Sequence, residues 1–282
     1  MNRLLLCTDL DRTLIANGAQ PDSKGALALF RQLVRREDVT LVYVSGRHRG
    51  LIEQAIAEFE LPVPDFAIAD VGSTIYQVMP AGWQTDDAWQ AYIAPDWHGL
   101  AHEDLCRLLS VFPALRLQPL AQQNRYKLSY HVALAEDSES LIRAVDARLK
   151  EAQIRANLIW SIDEPAALGL LDVLPASANK LHAIRFLMQQ LGHPDDQTLF
   201  AGDSGNDADV LLSGIPAVLV ANADAQVKSQ VACANPDTLY VAQGDYLGMN
   251  GNYSAGILEG VAHYHPHLDT WLHAKTNNIA ET

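Results

Sequence analysis

The chain has 282 residues, of which 49% are apolar and 19% charged. This is ordinary globular usage, with material for one large core or two modest ones, and it excludes a disordered chain. Acidic residues number 34 against 20 basic, a net charge of −14, which excludes a non-specific nucleic-acid binder, since that needs a basic face.

Leu4–Thr8 reads as a short buried strand, ended by Asp9 and Asp11. The apolar run is too short for a secretory signal, and no stretch reaches the roughly 18 uncharged apolar residues of a membrane helix. A soluble, cytoplasmic monomer is expected. Leu27, Phe30, Leu33 and Val34 recur at helical spacing between Ser23 and Arg36. Thr40–Val44 reads as a second buried strand, His48–Phe59 as an amphipathic helix, and Phe66–Ala69 and Thr74–Val78 as strands around Gly72. This alternation predicts an α/β protein: a Rossmann-like parallel-sheet core with helices on both faces.

From Gly82 the pattern changes to Trp-rich polar segments, a strand at Lys127–Ala133, a helix at Ser138–Glu151 and a strand at Ile154–Ser161. These residues predict an inserted α+β domain over 82–171, with the core made of 1–81 and 172–270 and a tail over 271–282. The core rhythm resumes at Gly169–Leu174. A helix at Ala178–Leu191, strands at Thr198–Ala201 and Pro216–Val220, and a last helix at Ala255–His263 complete it. Cys7, Cys106 and Cys233 lack CxxC spacing and read as reduced core thiols, not as a disulfide framework or zinc site. Trp83, Trp89, Trp97 and Tyr92 read as packing of the insertion before sugar stacking. His263, His265 and His267 have no acidic or thiol companion and read as a solvated tail.

Four motifs carry chemistry. Asp9-Leu10-Asp11-Arg12-Thr13 follows the first strand, where alternate residues share a side. Strand carboxyl ends are where open α/β sheets bind ligands, so paired acids there suggest a magnesium site with a nucleophile; a turn with two solvated aspartates is the alternative for the motif alone. Gly202-Asp203-Ser204-Gly205-Asn206-Asp207 places further acids after another strand, hard oxygen ligands suited to Mg²⁺, unless they only decorate a helix N-terminus. Ser45-Gly46-Arg47 offers a hydroxyl, backbone amides and a guanidinium for a phosphate, or simply a serine cap beside a surface arginine. Lys180 would offset the charge of phosphate and carboxylates together, although a lone lysine is ordinarily solvated.

In this order the motifs resemble those of the haloacid dehalogenase-like phosphatases. The insertion between the Ser and Lys motifs is similar to the type-2, Cof-like cap. Val71-Gly72-Ser73-Thr74-Ile75-Tyr76, Tyr126 to His131, Leu171-Asp172-Val173-Leu174-Pro175, Gly202 to Asp207 and Ala255-Gly256-Ile257-Leu258-Glu259 resemble the sucrose-6-phosphate phosphatase family. The chain departs from that pattern at Thr74, where an acid is usual, at Leu181, where glycine is common, and in a longer Gly244–Asn252 segment.

The resemblance implies Asp9 as nucleophile and Asp11 as general acid and base. It implies Mg²⁺ held by Asp9, the Asp11 carbonyl and Asp203, with Asp207 in support. Ser45, Gly46 and Lys180 would hold the phosphate, and Asn206 would orient Lys180 or a metal-bound water. Arg47 and Lys127 are candidate substrate contacts. The implied reaction is hydrolysis of a sugar phosphate, sucrose-6-phosphate first. Another glycosyl phosphate (mannosylfructose phosphate, mannosyl-3-phosphoglycerate) or a non-catalytic sugar-phosphate-binding role beside a sugar synthase are the alternatives. The expected partners are the small-molecule sugar phosphate and a sugar-phosphate synthase, with neither nucleic acid nor membrane.

Overall fold

The computed structural model describes residues 3–163, 166–232, 235 and 237–280; Cys233 lies outside them. In the first part of the chain β1 (Leu4–Thr8), α1 (Ala26–Leu33), β2 (Val39–Val44), α2 (Arg49–Glu58) and β3 (Phe66–Ala69) alternate. All of β1 is buried, which its unbroken apolar run requires of a central strand covered on both faces. The chain then turns back through β4 (Thr74–Met79) and β5 (Gly82–Thr85) before α3 (Asp87–Ile93).

Next come α4 (His102–Leu109), β6 (Arg116–Leu117), β7 (Leu128–Ala133), α5 (Ser138–Glu151), β8 (Ala156–Asp163) and β9 (Leu168–Pro175). The final part holds α6 (Lys180–Leu191), β10 (Thr198–Gly202), α7 (Ala208–Leu211), β11 (Ala217–Leu219), α8 (Ala225–Gln230), β12 (Leu239–Val241), α9 (Ser254–Tyr264) and α10 (Pro266–Ala280).

Two sheets organise these elements. The larger runs β12-β11-β10-β1-β2-β3-β4-β5. Its pairs from β12 to β3 are parallel, while β4 and β5 are antiparallel additions at one edge. The core is thus the expected parallel sheet, extended at one edge by antiparallel strands, because the tight turn at Gly72 can only return a strand antiparallel. The smaller sheet, β6-β7-β9-β8, is antiparallel throughout. In β9, Leu171 and Val173 are buried while Leu170 and Asp172, alternating with them, are partly exposed, the period-2 pattern of a sheet covered on one face only.

Sheet membership redraws the expected seams at 82 and 171. Gly82–Thr85 pairs with β4 in the large sheet, so Trp83 packs there against Tyr76, with ring centroids 5.6 Å apart. Leu168–Pro175 lies wholly in the small sheet, between β7 and β8, where Gly169–Leu174 had read as a core strand. Both segments look alike in sequence whichever sheet they join. The chain crosses between the sheets at Asp96, whose buried carboxylate accepts the Ser177 N–H at 2.6 Å, so outgoing and returning connections are pinned to each other.

The histidine segment is also corrected. Residues 266–280 form α10, which buries Leu268 and Leu272. His265 is buried, and that burial, reinforced by His267, pushes its pKa down to about 4. His263 stacks on Tyr240. Leu268 and Leu272 are one helical turn apart, the i, i+4 spacing that buries a face. In the preceding helix, Gly256 and Gly260 let α9 lie directly on β11: a Cβ at Gly260 would sit 2.5 Å from that of Val218. No helix among the described residues is long and apolar enough to cross a membrane.

Candidate active site

Register places the site. Thr8 lies opposite Tyr43 on one side and Ala201 on the other. The residues just beyond these strands, Asp9, Ser45 and Asp203, therefore leave the sheet together at its carboxyl edge. There they face a cavity of about 540 Å³, within the roughly 300–1,000 Å³ usual for small-molecule sites. The cavity is bounded by this edge below and by the half-exposed face of β8 and β9 above. Of the expected residues, Asp9, Asp11, Ser45, Gly46, Arg47, Lys127, Lys180, Asp203 and Asn206 line it.

At its floor Lys180 Nζ donates to Asp9 Oδ1 at 3.1 Å and to Asp207 Oδ1 at 2.7 Å. The other Asp207 oxygen accepts from the N–H groups of Asp203 and Ser204 and from the Ser204 hydroxyl. Asp203 accepts from the Thr13 hydroxyl at 3.1 Å and lies 3.4 Å from Arg12 Nε. Asp9, Asp203, Asp207 and Lys180 are all buried.

Burial pushes Asp9 up to about 8, reinforced by Asp207 and Asp203 and opposed by Lys180. Burial and then Asp207 push Asp203 up to about 6. Burial works against the Lys180 ammonium, but Asp207 and Asp9 more than compensate and hold it charged. Lys180, with Arg12 beside Asp203, thus faces three buried carboxylates, each with an oxygen within 4.8 Å of the others. Such a set calls for further positive charge, and its all-oxygen donors suit a hard dication.

Lys180 is brought here by a close backbone approach. Asn179 caps α6, accepting the His182 N–H. Gly72, at φ +97°, lies so near that a Cβ there would come within 2.4 Å of the Asn179 carbonyl carbon. Residues 70–72 also hold the Ser45 loop: Asp70 N–H donates to the Arg47 carbonyl and Val71 N–H to that of Ser45. Ser45 Oγ accepts the Arg47 N–H at 3.1 Å.

Arg47 is engaged by a carboxylate, and Asn206 does not reach Lys180. Arg47 grips Asp11 through both carboxylate oxygens, at 2.8 and 2.6 Å, and Asn17 adds a third bond at 2.7 Å. Burial disfavours the Asp11 carboxylate, but Arg47 outweighs it and holds the pKa below the usual range. Asn206 is exposed on the cavity wall, and Lys180 is oriented by Asp9 and Asp207 instead. Sequence reasoning missed Asn17, Asp70 and the wall residues Gln118 and Gln122, which carry no motif; Arg12 and Thr13 stood unused inside one that was recognised. Trp89 and Trp97 are buried and Tyr92 stacks on Trp89. None of the four aromatics lines the cavity.

The sequence matches the family of sucrose-6F-phosphate phosphohydrolases over residues 2–265. It is 47% identical to a Nitrosococcus oceani protein named only as a HAD-like hydrolase, over 99% of this chain and 76% of that one. Sucrose-phosphatase 1 of Nicotiana tabacum is 28% identical over 93% of this chain, which spans only 59% of the tobacco protein's length. Among solved structures, the sucrose-phosphatase of Synechocystis sp. PCC6803, in complex with sucrose and phosphate, superposes with a TM-score of 0.74. It is 29% identical, and the match covers 94% of this chain and 98% of that one.

Proposed function

The chain belongs to the sucrose-6F-phosphate phosphohydrolase family of haloacid dehalogenase-like hydrolases, and from that premise we propose that it is a Mg²⁺-dependent phosphatase whose substrate is sucrose-6-phosphate. The observation that carries this reading is the buried Asp9–Lys180–Asp207–Asp203 cluster at the cavity floor. The small sheet above it acts as the cap that excludes water and meets the sugar.

Asp9 attacks phosphorus and the ester bond to the sugar breaks, leaving an aspartyl-phosphate. Asp11 gives a proton to the departing sugar oxygen, then takes one from the water that attacks the aspartyl-phosphate, releasing phosphate and restoring Asp9. Paired with Arg47, Asp11 is the base; when Arg47 turns its fork to the phosphate, Asp11 loses the partner that keeps it ionised and serves as the acid. Lys180, Ser45 and the amide of Gly46 hold the phosphate oxygens. Mg²⁺, held by Asp9, Asp203 and the Asp11 carbonyl with Asp207 beside them, would screen Asp9 from the phosphate dianion.

Two measurements test the reading. Phosphate release should favour sucrose-6-phosphate over glucose-6-phosphate and fructose-6-phosphate by about tenfold or more in kcat/KM, and EDTA should abolish it. Preference for mannosylfructose phosphate or mannosyl-3-phosphoglycerate would reassign the substrate. Binding without release would leave a non-catalytic partner of a synthase.

The second measurement is thermal. Asp203 and Asp9 titrate near 6 and 8, above the ordinary carboxylate range. Across that window the folded chain binds more protons than the unfolded one, so their contribution to stability falls as pH rises. Mg²⁺ binds the deprotonated acids and offsets this loss. Its upward shift of the thermal midpoint should grow from pH 6 to pH 8.5; a shift that is absent, or equal at both, would remove the metal from this cluster.

A further inference from the structure

The end of the cavity away from Asp9 carries a cation with unfilled donors. Lys127 is 4% exposed and lines the cavity. Its nearest acid oxygens are Asp70 Oδ1 at 3.6 Å and Asp172 Oδ1 at 4.0 Å. Both distances are longer than a hydrogen bond, so neither acid fills the donors of the ammonium. A buried ammonium has three donors, and leaving them unmade is costly unless something in the cavity accepts them.

Neither carboxylate is free to close in. Asp172 accepts the Ser129 hydroxyl. Asp70 accepts from Thr74 Oγ1 at 3.4 Å and is fixed by its own backbone: Asp70, Val71 and Gly72 are successive left-handed residues at φ 53°, 60° and 97°, an arrangement that only a surrounding structure can hold. Asp70 is therefore the core carboxylate facing Lys127.

The other polar groups of this wall, Gln118, Gln122 and Ser161, are neutral. Lys127 is thus shared between Asp172 on the cavity wall and Asp70 behind it, outside the lining. A sugar hydroxyl suits this end of the cavity, accepting from Lys127 and donating to Asp172. A second anionic group does not, because it would be desolvated against Asp172 beside a Lys127 already shared with Asp70.

We propose that this end of the cavity selects phosphate esters whose alcohol is an uncharged polyol, and that Asp70 is a specificity-determining positioning residue which, through Lys127, excludes leaving groups bearing a second negative charge. This rests on the phosphatase reading of the Asp9 end.

The test uses p-nitrophenyl phosphate hydrolysis as reporter. Sucrose-6-phosphate and mannosyl-3-phosphoglycerate, whose glycerate carries a carboxylate, are measured as competitors, a readout that needs no turnover of either. The unaltered protein should bind the neutral ester more tightly. Asp70→Asn keeps the size and tolerates the left-handed backbone, and should narrow the ratio of the two inhibition constants about tenfold. Asp172→Asn should move it the same way. A ratio unchanged within about twofold in both variants overturns the proposal, and so does a parallel loss of both competitors, which is the mark of a merely structural role. Failure of the unaltered protein with Mg²⁺ to hydrolyse any ester, p-nitrophenyl phosphate included, would instead sink the phosphatase reading, and the inference with it.

Discussion

Asp9→Asn should lower phosphate release by on the order of 10⁴-fold or more while leaving the fold intact, because no neighbouring group can replace a lost nucleophile. The side chain is buried 3.1 Å from Lys180, and the other carboxylate nearest to Lys180, Asp207, is already bonded to the ammonium and to the loop amides. Asn is nearly isosteric and removes one of three mutually repelling acids, so Lys180 stays paired with Asp207. The urea midpoint without metal at pH 8 should therefore hold or rise. Single-turnover phosphate release and trapping of the acid-stable phosphoenzyme measure the first effect, and urea denaturation the second. Retained turnover would mean that water attacks phosphorus directly and that Asp9 only binds.

Lys180→Met should combine a large loss of activity with a large loss of stability. Met fills much the same volume but leaves Asp9 and Asp207 buried without a counter-charge. Breaking a buried ion pair on one side costs about 3–5 kcal/mol. The cost should be greatest at pH 8 without metal and smaller at pH 6, where Asp9, titrating near 8, is protonated. Turnover with saturating Mg²⁺ should still fall by on the order of 10²–10³-fold, since the phosphate loses a preorganised cation. Urea melts at the two pH values, with and without Mg²⁺, separate the terms. A variant as stable as the parent at pH 8, and as active, would show that the ammonium is not the counter-charge of this cluster.

Both effects concern residues that stand out along the chain, for a physical reason. A buried parallel strand needs an unbroken apolar run, as in Leu4–Cys7, and acids directly after such a run mark the sheet's carboxyl edge. Asp9 and Asp203 are legible in this way, and Ser45 follows the same logic after Thr40–Val44. The α5 helix, Ser138–Glu151, is legible too, because its Asp137 cap and its apolar spacing are both local.

Properties that depend on which elements meet are not written locally. Gly82–Thr85 and Leu168–Pro175 are strands in either sheet, and only the ladder they join decides their side of the seam. The 266–280 helix is weakly patterned by itself and is held by Leu268 and Leu272 in the large sheet's helical layer.

The amino-acid sequence by itself determined the α/β class, the acids at the strand ends and the family, since periodicity and motif spacing are properties of neighbours along the chain. Only the tertiary structure decided that Arg47 clamps Asp11, that Gly72 admits the start of α6 and so seats Lys180, and that Asp70 faces Lys127 from 57 positions away in the numbering. Ion pairs and close approaches of this kind depend on distances through space, which sheet register and backbone conformation set and residue order does not.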